Sequence, residues 1–88
     1  MKRDYNDPTY KRVRSEVLKR DGRSCQMPNC GSKSRLHVHH IQPWSKASSL
    51  RFEASNLITL CKKCHESITG KEHIYQSLFM GIVNENNS

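Results

Sequence analysis

Three histidines occupy four positions at residues 37–40, inside the stretch "LHVHHI", and Pro43 ends whatever element carries them. Imidazole serves as core filler, metal ligand or general base near neutral pH, so the stretch alone leaves three readings open. The other reactive residues are four cysteines, arranged as Cys25-x4-Cys30 and Cys61-x2-Cys64 with thirty residues between the pairs. Two such knuckles can close one tetrahedral four-thiolate site, the arrangement zinc favours in structural roles. A closed site of that kind has no open coordination position, so its metal stabilises the fold and does no chemistry. The histidines then need a different explanation. His39 and His40 precede a polar loop, Asn56 opens a second apolar stretch, and His65 directly follows the last cysteine. A zinc staple draws these segments together, in the order His, Asn, His.

Few elements are available to position these residues. The chain has 88 residues, 34% of them hydrophobic, which predicts one domain over 1–88 with a thin core. Domains this small usually add a structural metal, disulfides or a partner subunit. No apolar run approaches the roughly 18 residues of a membrane span, and "MKRDYNDPTYKR" lacks the apolar region of a secretory signal. A cytoplasmic protein with no membrane association is expected, and reduced thiols there favour metal over disulfides. Lys plus Arg number 15 against 8 Asp plus Glu, a net charge of +7 that favours a polyanionic partner, nucleic acid first. The competing reading of that charge is a merely well-solvated surface.

In "DPTYKRVRSEVLKRDG", Asp7 is a candidate N-cap, Pro8 suits the first helical position and Gly22 marks a stop. Tyr10, Val13, Val17 and Leu18 make a narrow apolar stripe on that helix, with Lys11, Arg12, Arg14, Lys19 and Arg20 around it. "RSCQMPNCGSKSR" is turn chemistry, and "LHVHHI" and "NLITL" read as two short strands. "CKKCHESITGKE" reads as a knuckle opening into a helix that stops near Gly70. A C-terminal helix follows, with Ile74, Leu78 and Ile82 as its core or dimer stripe. Residues 1–6 and 84–88 are expected to be disordered tails.

On "VLKRDGRSCQMPNC", "VHHIQP" and "NLITLCKKCH", in that order, the sequence resembles the HNH endonucleases of the ββα-metal, or His-Me finger, superfamily. It is most similar to the small zinc-stapled subgroup, which includes phage-encoded and restriction-type nucleases. The resemblance spans about Tyr10 to Glu72. It implies an α+β protein: a small ββα-metal fold with a four-cysteine zinc site, flanked by N- and C-terminal helices. It further implies metal-dependent cleavage of DNA. His40 would be the general base that activates water, Asn56 would orient it through a hydrogen bond, and His39 with His65 would hold one divalent ion. Imidazole suits the first task because its pKa near 6.5 leaves a neutral fraction at pH 7.

The resemblance departs from its pattern at His39, a position often occupied by aspartate. Magnesium prefers oxygen ligands, so two imidazoles favour manganese, nickel, cobalt or zinc without excluding it. A regular strand would place His37 and His39 on one face and His40 on the other, so the pleat is expected to break at His40. His37 is expected to be exposed or to touch phosphate, and Trp44 to pack. DNA contacts are assigned to Lys11, Arg12, Arg14, Lys19 and Arg20 of the first helix and to Lys62 and Lys63. The alternative is a zinc-stapled nucleic-acid-binding module without catalysis; a disulfide-stapled secreted protein is a distant third. Cleavage specificity, nicking against double-strand cutting, and monomer against homodimer stay open.

Overall fold

A computed structural model of the chain describes residues 8–42 and 53–86. Helix α1 spans Pro8–Arg20, strand β1 Leu36–His40, strand β2 Leu57–Cys61, helix α2 Lys62–Ser67 and helix α3 Glu72–Asn86, with a 3-10 turn at Ala54–Asn56 before β2. This is the α+β architecture that the sequence predicts. Asp7, Trp44 and the 1–6 tail lie outside the described residues.

Helix α1 ends as its sequence dictates. Gly22 takes φ of +67°, Arg23 N donates to Leu18 O at 2.8 Å, and Gly22 N donates to Lys19 O at 3.1 Å. That double closure satisfies two carbonyls that the last turn leaves open, and glycine adopts the left-handed backbone it requires without a Cβ clash. The four stripe residues Tyr10, Val13, Val17 and Leu18 are all buried.

The two strands pair antiparallel, with Leu36 opposite Cys61, Val38 opposite Thr59 and His40 opposite Leu57. The pleat sorts their side chains onto two faces. Val38 and Leu57 pack with Val13 and Val17 of α1. Ile58 and Leu60 pack on the other side with Ile68, Phe79 and Val83. The hairpin is thus a thin sheet between α1 and the pair α2 and α3, every residue of β2 being buried.

A buried polar network locks α1 to β2. Arg20 Nε and Asp21 Oδ1 lie 2.8 Å apart, and the Arg20 guanidinium also donates to the carbonyls of Ala54 and Leu57. Asp21 Oδ2 accepts from Thr59 N at 3.0 Å, and its Oδ1 accepts from Asn86 Nδ2 at 2.9 Å. A charge this buried persists only when partners saturate it, and here they do.

Helix α3 corrects two expectations, the core reading of its Ile74, Leu78 and Ile82 stripe and the start of the C-terminal tail. Its buried line is Phe79 and Val83 with half-buried Tyr75 and Ile82, while Ile74 and Leu78 are 65% and 42% exposed. Both i+4 lines are apolar, and the helix turns its aromatic line inward, where Tyr75 stacks on Phe79. Residues 84–86, part of the expected C-terminal tail, are helical and held by the Asn86 amide on Asp21 and Gln26.

Candidate active site

The cysteine cluster is built by two knuckles that the hairpin brings together. In the first, Cys25 N donates to Ser32 O at 2.7 Å and Cys30 N to Met27 O at 3.1 Å, while Gln26 N anchors the loop to Thr59 O of β2. In the second, Cys61 ends β2 and caps α2, its Sγ accepting from Cys64 N at 3.4 Å. The Sγ atoms of Cys25, Cys30, Cys61 and Cys64 all lie within 4.8 Å of one another, and all four are free thiols.

Cys30 Sγ and Cys61 Sγ are 3.8 Å apart. A tetrahedron with Zn–S bonds of about 2.3 Å has an edge of about 3.8 Å, so the thiols fit a structural metal such as zinc. The Cys64 backbone N–H draws the Cys61 thiol down to about 7, whereas burial pushes Cys25 and Cys64 up. Four crowded thiols share their negative charge readily only with a cation among them.

Three of the imidazoles, His37, His39 and His65, gather on the opposite side of the sheet from α1. His39 of β1 is 6% exposed and its Nε2 is buried without a hydrogen-bond partner. His65 of α2 meets it in an edge geometry with ring centroids 5.4 Å apart, and Phe79 of α3 does the same at 5.7 Å. Burial holds the His39 pKa down to about 4, helped by His65, while Glu72 partly opposes the shift. His39 is therefore neutral at pH 7, and one of its two ring nitrogens carries a lone pair. An orphaned buried nitrogen is costly unless something binds it, so the pair fits a divalent ion.

His40 lies elsewhere. The strand stays regular to its last residue, pairing His40 with Leu57, so the expected break in the pleat does not occur. Alternation therefore assigns His40 to the face that carries α1 and leaves His39 on the face of His65. The ladder continues past the strand through Ile41 N to Asn56 O at 2.8 Å, which keeps His40 in register. Asn56 is buried in the 3-10 turn and grips the chain just beyond His40: its Oδ1 accepts from Gln42 N at 3.0 Å and its Nδ2 donates to Gln42 O at 3.4 Å.

Of the residues assigned to DNA, Lys11, Arg12, Lys19, Lys62 and Lys63 are exposed and Arg14 is half-buried. Arg20 is a correction: its guanidinium is spent on Asp21 and two carbonyls, with 10% of the side chain exposed. The adjacent carboxylate of Asp21, invisible as a core residue in a helix-ending "RDG", decides this. Sequence reasoning also missed Arg35, which joins Lys62 and Lys63 along an open groove of about 500 Å3 beside Cys30 and Cys61. It missed the ring contact of His37 as well. His37 is exposed, as expected, and stacks on His65 at 5.8 Å; the alternation of His37 with His39 was the available signal.

Comparison with known proteins gives a consistent result. A model of the HNH endonuclease family matches residues 25–71, just over half of the chain, running from the first cysteine of the cluster past His65. No curated protein and no solved structure matches the chain. Among the described residues no helix is long and apolar enough to cross a membrane.

Proposed function

The chain belongs to the HNH endonuclease family, and on that premise we propose that it is a DNA endonuclease that hydrolyses phosphodiester bonds with one divalent metal and a histidine base. The observation that carries this reading is the His39–His65 pair, a buried, neutral and unpartnered imidazole nitrogen beside a second imidazole. His39 and His65 would hold the ion. When bound, it would supply Lewis-acid stabilisation of the charge on the phosphate and the departing oxygen. Cys25, Cys30, Cys61 and Cys64 would hold a separate structural zinc.

His40 takes a proton from water as the new P–O bond forms, and the 3′ oxygen leaves with the electrons of the broken P–O bond and gains a proton from solvent. Neutral imidazole near pH 7 is suited to that acceptance. Asn56 is a positioning residue: by clasping the Gln42 backbone it fixes the chain immediately after the base. The opposite-face placement of His40 and His39 is the one observation that favours a non-catalytic nucleic-acid-binding module. On the catalytic reading, the phosphate would have to reach both faces near the end of β1, where the two residues lie side by side.

Exposed cations would contact DNA backbone, Lys62, Lys63 and Arg35 at the groove and Lys11, Arg12, Arg14 and Lys19 on α1. Arg35 precedes β1 and His40 ends it, five residue steps or roughly 17 Å apart at about 3.3 Å per step. These contacts therefore flank the cut and supply affinity more than sequence choice. We place the protein in the cytoplasm, where the four thiols stay reduced.

The test uses supercoiled plasmid, with EDTA and with magnesium, manganese, nickel or cobalt restored. Relaxed or linear product that disappears with chelator and returns with at least one metal is the expected outcome. Binding without cleavage under every metal would favour the non-catalytic module.

A further inference from the structure

The rings around the proposed metal site form one continuous column. Tyr75 stacks on Phe79 with centroids 5.7 Å apart, Phe79 meets His39 at 5.7 Å and 77°, His39 meets His65 at 5.4 Å and 69°, and His65 stacks on His37 at 5.8 Å and 17°. The column starts in the core beneath α3 and ends at an exposed ring. Its two inner histidines are held very differently. His39 is wedged against Phe79 on a paired strand, whereas His65 stands on a six-residue helix with no buried residue.

We propose, on the strength of the metal site assigned above, that His37 is a positioning residue for that site: its ring closes the solvent end of the column and holds the His65 imidazole beside His39. A ligand whose ring is already fixed loses less rotamer freedom when it binds an ion, so the site is pre-organised. His37 is not itself a ligand in this arrangement. An imidazole lone pair lies in its ring plane, and two offset rings only 17° from parallel do not aim at a common ion. His39 and His65, at 69°, do not have that restriction. The device is specific to "HVH" in a regular strand, because alternation brings residues 37 and 39 to the same face as α2.

The experiment is calorimetric titration of nickel into the zinc-loaded full chain, for wild type, His37→Ala and His37→Phe. Phenylalanine keeps a flat ring for stacking and removes both nitrogens. Nickel affinity should fall about tenfold in His37→Ala and stay within about twofold of wild type in His37→Phe. Circular dichroism melts and zinc content, expected to match wild type because residue 37 is exposed, separate this effect from misfolding. Equal loss in both variants would make His37 a ligand and overturn the positioning role, and unchanged affinity in His37→Ala would overturn any role. A variant that loses nickel only because it unfolds, seen as a lowered melt, also contradicts the proposal. A wild-type chain that takes up no ion beyond its zinc overturns the metal site itself, a failure visible before any variant is made.

Discussion

At the scale of single residues, the chemistry of this chain is a division of labour among side chains of the same type. His39 is buried, neutral and without a hydrogen-bond partner; His40, its neighbour, ends the strand on the other face; His37 is exposed and stacked. Strand alternation alone makes that distinction, and it was legible in "LHVHH" once the strand was assumed regular. Pro43 misled by suggesting an early break, whereas the Ile41 N to Asn56 O hydrogen bond carries the ladder beyond His40. The side-chain clasp of Asn56 on Gln42 was not legible, because it joins a side chain to backbone atoms whose position only the folded hairpin fixes. Asn56→Ala removes both hydrogen bonds of that clasp from a buried site, and should destabilise the protein by about 1–3 kcal/mol in urea titrations. If the clasp positions the base, steady-state kinetics should show kcat reduced by about 100-fold with little change in KM. A raised KM with kcat unchanged would assign Asn56 to substrate binding instead.

At the scale of elements, helices and strands were readable because their ends carry chemical marks: Pro8 and Gly22 on α1, Cys61 as the cap of α2, and Gly70, with φ of +85°, after it. The rotation of α3 was not readable. Ile74, Leu78 and Ile82 compete with Tyr75, Phe79 and Val83 as apolar lines one residue apart, and it is Phe79 and Val83 that pack into the core with Ile41, Ile58, Leu60 and Ile68. The junction of α1 and β2 was likewise hidden, since a sequence shows charges and not their burial. Asp21 joins Arg20, the Thr59 backbone and Asn86 of α3, so it ties three elements together. Asp21→Ala should cost about 3–5 kcal/mol by leaving the Arg20 guanidinium half-satisfied. Chemical denaturation checks this, and a loss below about 1 kcal/mol would show the network to be incidental, in the range of exposed ion pairs.

For the whole molecule, a thin core and a dense charge give two dependencies. The core holds few large side chains, so stability should rest on the cysteine cluster. Structural zinc in small domains contributes an apparent binding energy of about 10–16 kcal/mol, and Cys61→Ser should therefore abolish cooperative unfolding and zinc retention together. The net charge of +7 should make DNA affinity fall steeply with salt. Lys62→Ala with Lys63→Ala should reduce the slope of log affinity against log salt by about 1.8, two phosphate contacts at about 0.9 each, as read by fluorescence anisotropy. That charge made nucleic acid the leading partner from composition, but no compositional feature distinguishes a binder from a nuclease. The distinction rests on one imidazole. With the plasmid and whichever metal supports wild-type cleavage, and with metal content matched between proteins, the rate of nicking by His40→Ala should fall by about 100-fold to 10,000-fold. Cutting by His40→Ala at the wild-type rate would contradict the assignment of the base and, with it, the proposed mechanism.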